Sequence, residues 1–369
     1  MKIIADKNIP FLKGVAENYG TVEYLAGSDF THDSIKDADV LIVRTVTHFD
    51  EKMLKGTNVK LICSATIGYD HIDTDYCDAH DIIWKNAPGC NSGSVQQYIV
   101  SSLITISRKK GFDLRDKTIG IVGVGNVGKK VAKACRLLGM KVLLNDPLRQ
   151  AIENDNSFVS LETIQQEADI ITFHTPLTKN GSYKTYHLAD KDFFVSLRKK
   201  PIIINSARGG IIDTEAIKNA IKLGEISGAI IDCWEKEPTI DLEYMNSVDI
   251  ATPHIAGYSA DGKANATRMS LESIADFYQL SKEPISAIKE PEPINLLIDL
   301  ATYPTSDNRV YDAILETYTP MGDFGRLIAA PDAFKQLRNE YPLRREYKAY
   351  AVVNASEDER ILLKELGFR

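Results

Sequence analysis

Short runs of β-branched and apolar residues recur along this chain, each followed by a helical pattern. The first set is KIIAD (2–6), TVEYLA (21–26), DVLIVRT (39–45), VKLICSAT (59–66) and DIIWKNA (81–87). The second is TIGIVG (118–123), KVLLND (141–146), ADIITFH (168–174), PIIINSA (201–207), GAIIDCW (228–234) and VDIATPH (248–254). Strand-length runs joined by helices cannot close as hairpins; they cross over, pair in parallel and bury both faces of their sheet. Between the sets lies SVQQYIVSSLITISRKK (94–110), a helical stretch with a basic last turn, stopped by Gly111. The chain is therefore expected to be α/β, with two doubly wound parallel-sheet lobes.

At 369 residues there is material for two or three domains. The stretch YSADGKANATRMSLESIADFYQL (258–280) is helical in pattern, and from sequence alone it can return to either lobe. KEPISAIKEPEPIN (282–295) is proline- and glutamate-rich linker chemistry. The remainder of the chain is too rich in tyrosine and apolar residues for a disordered tail, so residues 286–369 are expected to form a small C-terminal α+β module. A formal charge of −7 argues against nucleic acid or an anionic membrane as the main partner. The five cysteines are scattered and form no C-x-x-C, which predicts neither a disulfide framework nor zinc. With no leader-like opening and no apolar run near 18 residues, a cytoplasmic protein is expected.

The segment TIGIVGVGNVGKKVAKACRLLGMKVLLNDP (118–147) carries the most chemistry. A strand feeds Gly123-x-Gly125-x-x-Gly128, a helix opens, and a second strand ends at Asp146. Gly123 permits the tight turn, Gly125 lets a pyrophosphate approach backbone, and Gly128 allows close helix–strand packing; the helix N-terminus then faces the anion. A carboxylate at Asp146 suits the two ribose hydroxyls of adenosine and repels a 2′-phosphate, so NAD is expected rather than NADP. Both lobes are thus expected to be Rossmann/flavodoxin-like doubly wound parallel sheets.

Polar groups follow three later strands: Arg208 after IIIN, Asp232 and Glu237 after GAII, and His254 after VDIA. Ligands of open parallel sheets bind outside the carboxyl ends of the strands. Removing a hydride from a hydroxy acid needs a base for the hydroxyl proton, which a histidine oriented by a carboxylate supplies. It also needs a cation for the substrate carboxylate, and the arginine fork suits that task. Any one of these residues alone is more often a surface ion pair. Three complementary groups at neighbouring strand ends beside a dinucleotide loop are a different matter.

GIVGVGNVG, FHTPLT, NSARGG, DCWEKEP and PHIAGYS resemble, in order, the motif series of the NAD-dependent D-2-hydroxyacid dehydrogenases. The resemblance covers about residues 1–285. It implies Arg208 as carboxylate clamp, Glu237 as orienting acid and His254 as proton donor and acceptor. It extends the cofactor contacts from Gly123, Gly125, Gly128 and Asp146 to Asn126, Val127, Thr175, Ser206, Ala207, Arg208, Asp232 and Gly257. It also implies a discontinuous substrate-binding domain (1–93 with 258–285) and an NAD-binding domain (94–257). His174 reads as positioning backbone beside Thr175, and His71 as a loop or helix-start residue.

The loops LIVRTVTHFD (41–50), SATIGYDHID (64–73) and NAPGCNSGSV (86–95), with LRNEYPLRREY (337–347), are similar to one branch of that family. The branch acts on a phosphorylated hydroxy acid and uses an extra C-terminal module to form homodimers. A phosphate needs cation and hydroxyl donors away from the carboxylate clamp; Arg44, Thr45, Thr47 and Thr66, with Tyr258, are the candidates. Gln96-Gln97 stands where the wider family commonly has Ala-Glu, and Tyr69 where a smaller residue is expected. Other acids of the same chemistry, such as 3-phosphoglycerate, and a non-enzymatic NADH sensor of the same fold are the alternatives.

Overall fold

The computed structural model describes residues 1–306 and 308–369. The chain forms two compact units, Met1–Asn91 with Ser259–Pro291, and Ser92–Tyr258 with Glu292–Arg369.

In the first unit, β1 (Lys2–Asp6), β2 (Thr21–Leu25), β3 (Val40–Val43), β4 (Leu61–Ser64) and β5 (Ile83–Lys85) form one sheet in the order β2-β1-β3-β4-β5. Every pairing is parallel. The period of two is visible in the packing: Ile3, Ala5, Val40 and Ile42 enter one core, while Ile4, Leu41 and Val43 enter the other. The helix Ala260–Tyr278 belongs to this unit and sets Ala264, Leu271 and Ile274 into the first of those cores. The order of connection reverses between β1 and β3, the switch point of the sheet. Asp6 ends β1 there, and Arg44 follows β3.

In the second unit, β6 (Thr118–Val122), β7 (Lys141–Asn145), β8 (Ile170–Phe173), β9 (Ile202–Asn205), β10 (Gly228–Ile231) and β11 (Ile250–Ala251) form a parallel sheet ordered β11-β10-β9-β8-β6-β7. Ile170, Ile202 and Ile204 pack to one side; Ile171 and Ile203 pack to the other. The helix Ser92–Lys110 buries Tyr98, Ile99 and Leu103 and ends at Gly111, whose φ of +71° is the left-handed stop that glycine adopts freely. Switch-point geometry recurs between β6 and β8.

Residues 292–369 carry the helices Arg309–Thr317, Pro320–Ala329, Phe334–Asn339 and Glu357–Leu366 and a two-stranded parallel sheet, β12 (Leu297–Asp299) with β13 (Ala351–Val353). Their apolar side chains are not a separate core. Ile298, Ile314, Tyr347 and Leu363 join the cluster of Leu103, Ile104 and Ile255, and Leu327 and Phe334 join that of Ile203 and Trp234. Among the described residues no helix is long and apolar enough to cross a membrane.

Candidate active site

The glycine loop is built as its spacing requires. Gly123 has φ +88°, and Gly128 lies so close beneath it that an added Cβ would meet the Gly123 carbonyl oxygen at 2.1 Å. Gly125 is the opposite case: a Cβ there meets nothing within 4 Å, so the loop leaves open space above its backbone. Gly125, Asn126 and Val127 open the helix Asn126–Leu137, whose first N–H groups are available to an anion. Asp146 accepts from Val124 N (2.9 Å) and Arg149 N (3.0 Å), fixing loop and following helix together while each oxygen keeps a lone pair. Nearby, the hydroxyls of Thr175, after β8, and Ser206, after β9, are buried without a hydrogen-bond partner. Orphaned hydroxyls are costly unless a ligand completes them. The open glycine cradle, the free helix N-terminus, the carboxylate and the two hydroxyls fit a dinucleotide.

The turn after β9 is shaped by Asn205, which donates from Nδ2 to Arg208 O (2.9 Å) and accepts from Ala207 N (3.1 Å). Gly209 then packs on the backbone of Trp234, where a Cβ would fall 2.0 Å from its carbonyl. This close approach ties the Arg208 turn to the loop that carries Glu237. Trp234 in turn donates from Nε1 to Thr252 O (2.9 Å), which ties that loop to the His254 strand end. Asp232 is fully buried; it accepts from Thr252 Oγ1 (2.7 Å), Ile255 N (2.8 Å) and Ala256 N (3.0 Å). Its carboxylate therefore shapes residues 252–256. Because Thr252 spends its proton on Asp232, the Tyr98 hydroxyl donates to Thr252 at 2.8 Å.

His254 has φ +56° at the end of this loop and turns Nδ1 onto Glu237, 2.8 Å from Oε2 and 3.0 Å from Oε1. Glu237 Oε1 also accepts from Trp234 N (2.9 Å). Burial pushes the Glu237 carboxyl up, but the hydrogen bond and charge of His254, the Trp234 N–H and Arg338 outweigh it and leave it below the ordinary carboxylate value. With Nδ1–H committed to the carboxylate, Nε2 is the ring's acceptor.

The sequence motifs do not reveal what the C-terminal segment adds. Arg344 donates to Ala256 O (2.6 Å), Ile255 O (3.2 Å), Ser94 Oγ (3.0 Å) and the Tyr341 hydroxyl (2.9 Å). Gln97 explains its own departure: Oε1 accepts from Arg344 Nε (3.1 Å), while Nε2 donates to Thr317 Oγ1 (3.1 Å) and Arg345 O (3.0 Å). The site needs an acceptor and a donor at once, which an amide has and an ionised carboxylate lacks. Arg338 reaches Glu237 Oε2 (3.6 Å) and the Tyr258 hydroxyl (3.3 Å). The one sequence signal for these contacts is a group of arginines set among tyrosines in an otherwise acidic chain.

In the first unit, Arg44 is held by Asp6 through Nε (3.0 Å) and Nη2 (3.2 Å), across the switch point. Thr47 donates to Gly27 O (2.6 Å), and Thr45 is exposed. Thr66 donates to Gly68 O (3.0 Å) and so accepts from Ser64, 2.7 Å away. Ser64 in turn lies 3.3 Å from His71 Nε2. His71 lies in the loop before the helix Thr74–Ala79, as expected, and is buried there as a support of Ser64 and Thr66. Tyr69 is exposed and packs its ring on Trp84, with centroids 4.9 Å apart.

The fold also brings Cys233 to Glu237 and His254, with candidate ligand atoms within 4.8 Å of one another, a grouping that spacing along the chain does not reveal. Its donors do not suit a metal. Burial, then the charges of Asp232 and Glu237, pushes the Cys233 thiol well above its ordinary value, and the other two groups are bound to each other. A cavity of about 240 Å³ is lined elsewhere, by His187, Asp213 and Glu235 among others. These groups satisfy one another, His187 meeting Glu235 at 2.7 Å and Asp213 at 3.3 Å.

A dinucleotide cradle beside an Arg/Glu/His set at the carboxyl ends of parallel strands defines an NAD-dependent dehydrogenase of hydroxy acids. Residues 94–256 match the family described as D-isomer specific 2-hydroxyacid dehydrogenase, NAD binding domain. The erythronate-4-phosphate dehydrogenase of Bacteroides fragilis is 51% identical over 354 residues, spanning 96% of this chain and 99% of its own. That of Porphyromonas gingivalis is 43% identical over 369 residues and the whole of both chains. Among solved structures, the cofactor(NAD+)-bound 3-phosphoglycerate dehydrogenase of Entamoeba histolytica aligns with a TM-score of 0.64 at 28% identity, covering 76% of this chain and 95% of that one. The chain belongs to the D-isomer specific 2-hydroxyacid dehydrogenases, in their erythronate-4-phosphate dehydrogenase branch.

Proposed function

We propose that the protein oxidises the 2-hydroxyl of 4-phospho-D-erythronate to the 2-oxo acid, the reaction for which its relatives are named and a step toward vitamin B6. The observation that carries the proposal is the Glu237-held ring of His254, 2.8 Å from carboxylate to Nδ1, on the strand end beside the Arg208 turn. When bound, NAD supplies the acceptor for the hydride that leaves C2. His254 Nε2 takes the hydroxyl proton as C2–H breaks and the C2–O bond becomes a carbonyl. Glu237 holds the ring in the tautomer that leaves Nε2 free and stabilises the imidazolium that results. Arg208 donates from Nη1 to Ala207 O at 2.8 Å and turns the rest of its fork to the substrate carboxylate and the nascent carbonyl.

Thr45, Thr66 and Tyr258 are the proposed substrate contacts. Arg44 joins them with Nη1 alone, since Asp6 takes its other edge. Asp232, Ala207 and Gly257 stay proposed neighbours of the cofactor, with Thr175 and Ser206 contributing their unpartnered hydroxyls. A cytoplasmic homodimer is proposed as well; the exposed Ile294, Leu296 and Leu297 at the start of the C-terminal segment support the association of two copies.

The test is His254→Gln. Turnover of 4-phospho-D-erythronate falls about 10²–10⁴-fold, while NADH still binds with nearly native affinity by fluorescence titration. Unimpaired turnover removes His254 from the mechanism.

A further inference from the structure

We infer that Arg338, carried by the C-terminal segment, is a positioning residue of the proton-transfer site: it sets a second cationic group on the Glu237 carboxylate that orients His254, and so keeps His254 a base. The inference rests on the proposed roles of Glu237 and His254.

The geometry is one carboxylate oxygen faced by an imidazole and a guanidinium. Glu237 Oε2 lies 2.8 Å from His254 Nδ1 and 3.6 Å from Arg338 Nη1. Arg338 comes from the helix Phe334–Asn339, far along the chain from Glu237, and its guanidinium lies over the rings of Tyr258 and Phe334, 5.9 and 6.0 Å from their centroids. Its remaining contact is from Nη2 to the Tyr258 hydroxyl at 3.3 Å, and Nε is buried without a partner. This is an uneconomical way to place an arginine for stability alone. Arg344, six residues on, satisfies its whole fork with carbonyls, hydroxyls and Gln97. Arg338 instead leaves most donors unmet and sets its charge on the one acid that orients the base.

Two cations sharing one carboxylate oppose each other. A fixed positive charge beside Glu237 makes a second one, on the imidazole, less favourable. The groups around the pair are Asp232, Cys233 and Glu237 after β10, Tyr258 after β11, Arg208 after β9 and Arg338 itself. Of these, Asp232 favours the imidazolium, Cys233 stays neutral, and Arg338 sets a cation 3.6 Å from the Glu237 carboxylate. Oxidation needs His254 unprotonated, and the Arg338 charge beside Glu237 disfavours a second positive charge on the ring.

The experiment compares wild-type protein with Arg338→Met, Arg338→Gln and Arg338→Lys. It reads the pH dependence of kcat/KM with 4-phospho-D-erythronate and NAD, and the titration of the His254 ring by NMR of histidine-labelled protein without substrate. The Met and Gln variants should move the acid limb and the ring titration upward by roughly one pH unit, and Lys should restore most of it. NADH binding and Tm confirm that each variant is folded, and either neutral variant suffices if the other is not. Unmoved titration in a folded neutral variant overturns the inference. So does a loss confined to KM for the phosphorylated substrate, which would make Arg338 a substrate contact. The NMR arm needs no substrate, so it stands even where the proposed substrate fails.

Discussion

Arg344 donates from Nη2 to the carbonyl oxygen of Ala256 at 2.6 Å, across 88 residues of chain. On the other side of the same peptide run, Asp232 accepts from the N–H groups of Ile255 and Ala256. The loop that presents His254 is thus gripped through its carbonyls by the C-terminal segment and through its amides by the end of β10. Replacing Arg344 with Met removes one donor each from the Ile255 and Ala256 carbonyls, which keep Tyr258 N and Ser94 Oγ, and leaves Gln97 Oε1 without its partner. Stability should fall by about 3 kcal/mol and turnover by about tenfold or more, with Lys a poor substitute because it lacks the fork. Denaturant titration and kcat measure the two effects. A variant of native stability and rate removes the clamp.

Ser206→Ala and Thr175→Val act on hydroxyls that are buried and unpartnered. Removing an unmet polar group stabilises the cofactor-free protein by up to about 1 kcal/mol, whereas NAD affinity drops several-fold because the ligand's partner is gone. Thermal melts with and without NAD separate the opposite signs. A loss of stability without NAD would show that the hydroxyls serve the fold.

Gly125→Ala and Gly128→Ala should behave differently although both break one motif. The first adds a Cβ to open space, so the cofactor-free fold and Tm are unchanged while NAD binding weakens at least tenfold. The second drives a Cβ into the Gly123 carbonyl, so stability and binding are lost together. Equal effects on Tm would contradict this division.

Burial lowers His71 to about 4 from the ordinary 6.5. The folded state resists protonation that the unfolded chain accepts. The stability that depends on a neutral ring is complete above about pH 6.5 and is lost as pH falls toward about 4. Between pH 7 and pH 4 this amounts to about 3 kcal/mol. His71→Gln keeps a donor toward Ser64 and should flatten that part of the stability curve. An unchanged slope from urea melts at several pH values would reject His71 as its source.

The strands, the glycine loop and the Arg208, Glu237 and His254 set were legible because each is local: a run of β-branched residues, a spacing of glycines, a polar residue just past a strand. β11 is shorter than its apolar run suggests, at two residues. Contacts joining distant parts of the chain left no such trace. Nothing near Gln97 announces its partner 247 residues away at Arg344, and Arg338 meets Tyr258 across 80 residues. Asp232 stands at a strand end like the others, but only the packing shows its carboxylate folding the His254 loop.

The proposed reaction is tested most directly by the initial rate of 2-oxo acid formation by pure protein with NAD and 4-phospho-D-erythronate, beside 3-phosphoglycerate and unphosphorylated erythronate. An oxo-acid acceptor is included so that retained NADH does not mask turnover. The expected kcat/KM for the phosphoerythronate is at least about a hundredfold above either alternative. Equal or better turnover of another acid contradicts the substrate assignment. Tight NADH binding with no turnover of any of the three contradicts the proposed reaction itself.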